Sequence, residues 1–209
     1  MRFILIAITF GLLGSPLPGS AADFPRFEPQ EVDPHAGQVC YAVTTADVNN
    51  DGKLDIVTGT GAGPGSKPRV RVFDAATHAQ LAGPIGNFYA FAKSFTGGVN
   101  VAVGDVNGDH VADIIVGPGA GTAPTVKVYD PAHPTTPASI AAYPASQKKG
   151  VRVTVADLNG DGKYAILTAL GAGGNSEVRI FNGVSLAALD HFFAQPGAFT
   201  KGLFIAGSR

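Results

Sequence analysis

Asp47-Val-Asn49-Asn50-Asp51-Gly52-Lys53-Leu54-Asp55 reads D-x-N-x-D-G-x-x-D, and it constrains the chain more than any other stretch because it returns twice. The second copy is Asp105-Val-Asn107-Gly108-Asp109-His110-Val111-Ala112-Asp113. The third is Asp157-Leu-Asn159-Gly160-Asp161-Gly162-Lys163-Tyr164-Ala165. The first aspartates stand 58 and 52 residues apart. A period of that size indicates an array of small units sharing a core.

The units agree beyond the loop. An alternating apolar run leads in (Tyr41–Ala46, Val99–Val103, Val151–Val155) and another leads out (Leu54–Thr58, Ala112–Val116, Ala165–Thr168). Period-two alternation bounded by Gly and Pro is strand chemistry, so each loop is the turn of a hairpin. A Gly-rich break follows, beginning at Gly59, Gly117 and Ala169. A third strand comes next, at 69–74, 125–130 and 177–182. The aromatic segments Phe88–Phe91, Ile140–Tyr143 and His191–Phe193 close the units. Four short strands per unit predict an all-β fold of propeller-type blades, over 39–96, 97–148 and 149–200. Gly202-Leu-Phe-Ile-Ala206 echoes Gly98–Ala102 and Gly150–Thr154, so 201–209 reads as the start of a fourth, incomplete blade. An array ending there leaves apolar faces bare, and self-association through these ends is expected.

The loop chemistry is that of a hard cation. Positions 1, 3, 5 and 9 offer side-chain oxygens, and Ca²⁺ takes about six to eight of them at about 2.3–2.6 Å. Gly52 at position 6 suits the sharp turn around an ion. An EF-hand is excluded, because position 12 holds Thr58, Val116 or Thr168 where a bidentate Glu belongs. Asp-Asn-Gly clusters also make plain turns between strands, but turn chemistry does not require a carboxylate at position 9. The second loop has His110 at position 6, a residue that tolerates positive φ at some cost. The third has Ala165 at position 9, which leaves it either a weak site or an ion-free turn.

On these loops and their flanking strands, residues 39–209 resemble the FG-GAP/VCBS repeat proteins, whose units resemble blades of the integrin α-subunit β-propeller. The resemblance implies Ca²⁺ held by Asp47, Asn49, Asp51 and Asp55, and by Asp105, Asn107, Asp109 and Asp113. Asp157, Asn159 and Asp161 are the matching third set, and the main-chain carbonyls of Lys53, Val111 and Lys163 would complete the shells. It also implies a non-catalytic module for adhesion or for binding a protein or carbohydrate ligand. An accessory part of an exported carbohydrate- or lipid-active enzyme, or a truncated product, is the alternative.

Met1-Arg2, the apolar run Phe3–Leu13 and the small residues Ser20-Ala21-Ala22 read as an export signal over 1–22, implying a secreted, periplasmic or cell-surface protein. Residues 23–38, with Pro25, Pro29 and Pro34, read as a linker or an edge segment. No later run is long enough for a membrane span. Net charge is −1, which provides no overall footprint for nucleic acid. Cys40 is the single cysteine, so no intramolecular disulfide forms. The five histidines fall at unrelated positions in the units, and G-x-S-x-G, Walker and G-x-G-x-x-G motifs are absent. The chain is therefore expected not to be an enzyme.

Overall fold

The computed structural model describes residues 40–197 and 199–207. The chain divides into Met1–Pro34 and His35–Arg209. The export signal, the segment 23–38 and Val39 lie outside the described residues.

Among the described residues, twelve strands form three four-stranded antiparallel sheets, each a meander. The first holds β1 (Cys40–Ala46), β2 (Asp55–Thr60), β3 (Arg69–Asp74) and β4 (Asn87–Tyr89), with a 3-10 turn at Pro84–Gly86 before β4. The second holds β5 (Val99–Gly104), β6 (Asp113–Pro118), β7 (Thr125–Tyr129) and β8 (Ala138–Ala141). The third holds β9 (Val151–Ala156), β10 (Ala165–Leu170), β11 (Glu177–Phe181) and β12 (Ala188–Phe193). Each sheet is one expected unit, and each hairpin carries its repeated loop. Ala46 pairs with Asp55, Gly104 with Asp113 and Ala156 with Ala165, so position 9 is the first residue of the outgoing strand in every unit.

Neighbouring sheets pack face to face through β-branched side chains. Val57, Val70 and Val72 of the first sheet meet Val99, Val101, Ile114 and Val116 of the second. Ile115, Val126 and Ile140 of the second meet Val151, Val153, Val155 and Ile166 of the third. Strand β6 shows why Ile114-Ile115-Val116 is an unbroken apolar run. Ile114 and Val116 enter one core and Ile115 the other, and all three are fully buried. Burying a side chain of this size stabilises by about 1.5–3 kcal/mol before entropy is counted.

A repeated set of hydrogen bonds ties the Gly-rich break of each unit to the segment that leads into the next. Gly63 N–H donates to Thr96 O, Gly121 N–H to Lys148 O and Gly173 N–H to Thr200 O, at 3.1, 3.0 and 2.8 Å. Asn100 Nδ2 donates to Val151 O at 2.9 Å, and one period later Arg152 Nη1 donates to Leu203 O at 2.5 Å. Residues 199–207 thus repeat the register of an inner strand beside β9. They form no strand ladder among the described residues, unlike the strand expected over 202–206. Gly202 takes φ 75° at this crossing, as Gly98 and Gly150 do at theirs (74° and 81°). A Cβ on Gly202 would lie 2.5 Å from Ala172 N, so the close approach and the left-handed backbone both call for glycine.

Candidate functional site

The three loops share one internal pattern of hydrogen bonds. In the first, Asp47 Oδ1 and Oδ2 accept from the N–H groups of Asp51 and Gly52 at 3.2 and 2.9 Å. Asn49 Oδ1 accepts from Asp51 N–H at 3.0 Å, its Nδ2 donates to Asp51 Oδ2 at 3.2 Å, and Asp51 Oδ1 accepts from Lys53 N–H at 2.9 Å. The second loop repeats this. Asp105 accepts from Gly108, Asp109 and His110, Asn107 from Asp109, and Asp109 from Val111. In the third, Asp157 accepts from Asn159, Gly160 and Gly162, Asn159 from Asp161, and Asp161 from Lys163. These are Asx-turns, in which short polar side chains satisfy the backbone just ahead of them.

Two left-handed residues bend each loop. Position 6 takes φ 81° at Gly52, 69° at His110 and 80° at Gly162. Position 4 also takes positive φ, at Asn50 (58°), Gly108 (85°) and Gly160 (76°). The sequence reading missed this second bend, although Asn and Gly at position 4 are the residues that tolerate it.

Position 9 separates the first two loops from the third. Asp55 and Asp113 are buried, with Asp113 1% exposed. Their Oδ2 atoms accept from the N–H groups of Val48 and Val106 at 2.9 and 3.0 Å, closing each loop onto its position 2. Their Oδ1 atoms are buried and have no hydrogen-bond partner among the described residues. A buried acceptor without a donor costs about 1–3 kcal/mol, a cost that a proton, a hydrogen-bond donor or a cation would relieve. Burial pushes Asp113 up to about 7 against the hydrogen bond from Val106, and the charges of Asp109, Asp130 and Asp105 act in the same upward direction. Burial likewise raises Asp55, with Asp51 and Asp47 contributing. In the third loop Ala165 takes this position, and each oxygen of Asp157 and Asp161 has a donor. The Gly162 N–H, with its loop neighbours, holds Asp157 below the usual carboxylate range.

Among the described residues, no three His, Cys, Asp or Glu side chains converge as a ready-made metal cluster. The reason is local: Asp47, Asp51, Asp105 and Asp109 are turned toward their own backbone N–H groups. Successive loops also touch. Ala112 N–H donates to Asp47 O at 3.3 Å and Tyr164 N–H to Asp105 O at 3.4 Å, so position 8 of one loop rests on position 1 of the loop before. Among the aromatics, Tyr143 is buried with its hydroxyl donating to Thr168 O or Glu177 O, both at 2.9 Å. Phe193, in the aromatic segment that closes the third unit, is exposed.

No curated protein matches the chain. The family model described as FG-GAP repeat matches residues 41–73, from the second residue of β1 through the first loop to Phe73 of β3. The first blade of this all-β, propeller-type array is therefore similar to an FG-GAP repeat, in keeping with the resemblance to integrin-type blades.

Proposed function

We propose that this chain is an exported, calcium-stabilised, non-catalytic binding module. The observation that carries the calcium reading is the pair of partnerless buried oxygens, Asp55 Oδ1 and Asp113 Oδ1, each in a loop with two further carboxylates. Asp47, Asn49, Asp51 and Asp55 with the Lys53 carbonyl would hold one ion. Asp105, Asn107, Asp109 and Asp113 with the Val111 carbonyl would hold a second. The donor set, all oxygen and mostly anionic, is that of a hard cation. When bound, the ion cancels the repulsion among the loop carboxylates and fixes the turn between β1 and β2 or between β5 and β6. The third loop, with Ala165 at position 9, lacks the buried fourth carboxylate of the other two and is a structural turn. Export rests on the N-terminal signal pattern, and the binding role on the FG-GAP similarity of the first blade.

Differential scanning calorimetry of the chain in calcium and in EGTA tests this reading. Sites with Kd about 10⁻⁴–10⁻³ M gain about 1–3 kcal/mol each at about 10 mM calcium. Calcium is expected to raise Tm, Asp51→Ala and Asp109→Ala each to remove part of the rise, and Asp161→Ala to leave it intact. An unchanged wild-type Tm contradicts the calcium reading.

A further inference from the structure

The meander gathers most exposed lysines at one end, although Lys53 and Lys163 stand in the Asp loops at the other. Turns between the first and second strands of each sheet, and between the third and fourth, emerge at the end that carries the Asp loops. Turns between the second and third strands, and the blade-to-blade connections, emerge at the opposite end. Lys67 lies in such a turn, Lys93, Lys148 and Lys149 lie in connections, and Lys201 follows β12; all five are exposed. The net charge of −1 averages over this segregation and conceals it.

Contacts gather these cations into two groups. The Lys149 side chain, in the connection before β9, reaches the Gly-rich turn of the third blade, where a Cβ on Gly173 would lie 3.3 Å from its Nζ. Gly173 N–H in turn binds Thr200 O at 2.8 Å, which brings Lys201 to the same turn. On the first blade, Arg69 donates to the Tyr89 hydroxyl, and its guanidinium and the Lys93 ammonium each lie 5.0 Å from the Tyr89 ring. The hydrogen bond from Arg69, with the charges of Arg69, Lys67 and Lys93, lowers the Tyr89 pKa, as a positive field does. Glu177 begins a strand at this end, but its carboxylate is bound by Arg179 Nε at 2.8 Å.

We infer that the end opposite the Asp loops binds an acidic polysaccharide, a polyuronate carrying a carboxylate on each sugar. Exposed lysines spread over three blades make an extended positive field, which suits a chain of spaced anions better than one small anion. Single-stranded nucleic acid needs open aromatic faces on which bases stack. Here Tyr89 is covered by Arg69 and Lys93, Phe91 by Lys127 at 5.3 Å, Tyr143 by Arg179 at 4.8 Å and one face of Phe204 by Arg152 at 3.8 Å. Phe193 at the end of β12 is exposed, a single ring and not a platform for successive bases. This gives the proposed binding module its ligand class and rests on the module being a binder, though not on its binding calcium.

Polygalacturonate binding by the full chain is the test, measured in EGTA so that the Asp loops cannot bridge through metal. Dextran and duplex DNA serve as parallel probes, and circular dichroism verifies the fold of each variant. The expected result is binding at about 50 mM salt that weakens about tenfold or more by about 200 mM, with none to dextran. Lys148→Glu/Lys149→Glu and, independently, Lys67→Glu/Lys93→Glu are expected to weaken it by about tenfold or more. Absence of binding at low salt, wild-type binding by both folded variants, or tighter binding to DNA overturns the inference. None of these outcomes touches the calcium reading, which is decided by melting temperature.

Discussion

At Asp113 a buried carboxylate faces three other aspartates with one oxygen unpartnered, and its titration follows from that. Its folded pKa of about 7 lies above the unfolded value of about 3.9. Between those values the folded state keeps a proton that the unfolded chain has released. Stability of the metal-free protein therefore falls as pH rises from about 4 to about 7, then levels off. Urea denaturation in EGTA across that range is expected to show this slope, and Asp113→Asn is expected to reduce it strongly. An equal slope in the variant means that other groups carry the effect. The sequence already marked position 9 as the residue that turn chemistry does not need. It could not show that half of this carboxylate serves the backbone, because the Val106 N–H becomes its donor only when the hairpin closes. The Asx-turns at positions 1, 3 and 5 were legible as an alternative to metal, and they explain why those carboxylates point inward to N–H groups.

Among the elements, equivalent positions in the blades meet different fates. Val70, Val126 and Val178 occupy matching places in β3, β7 and β11, and pair with Phe88, Ile140 and Phe192. Phe88 packs on the second blade and Ile140 is buried against the third, but Phe192 is 48% exposed. Position 2 of the loops behaves alike: Val48 and Val106 are buried, and Leu158 is 56% exposed. Ile140→Ala should cost about 2–5 kcal/mol in chemical denaturation, and Phe192→Ala no more than about 0.5 kcal/mol. Light scattering should find the wild type self-associating, and Phe192→Ala with Leu158→Ser should reduce that, because both remove apolar surface from an open face. Equal stability losses at Ile140 and Phe192 would mean that the third blade's face is covered. Strand positions were readable because alternation is a local signal. Which face acquires a neighbour was not, since period two marks an apolar face without saying what lies on it. The segment 202–206 illustrates this: its repeat register was legible, but a ladder needs a partner strand, and the described residues supply none.

The described residues form three stacked blades, with the Asp loops at one end and most exposed lysines at the other. Composition alone hides that arrangement, because it depends on which turns share an end. The fold was largely legible, since a repeat multiplies every weak local signal by three. The site was legible as loop positions but not as electrostatics, which depend on burial at Asp55 and Asp113. Calcium uptake by equilibrium dialysis at about 10 mM calcium, with magnesium as competitor, counts the loop sites directly. Two ions are expected per wild-type chain, one each for Asp55→Asn and Asp113→Asn, and none for the double variant. No uptake by the wild type, or undiminished uptake by the folded double variant, would contradict the calcium reading.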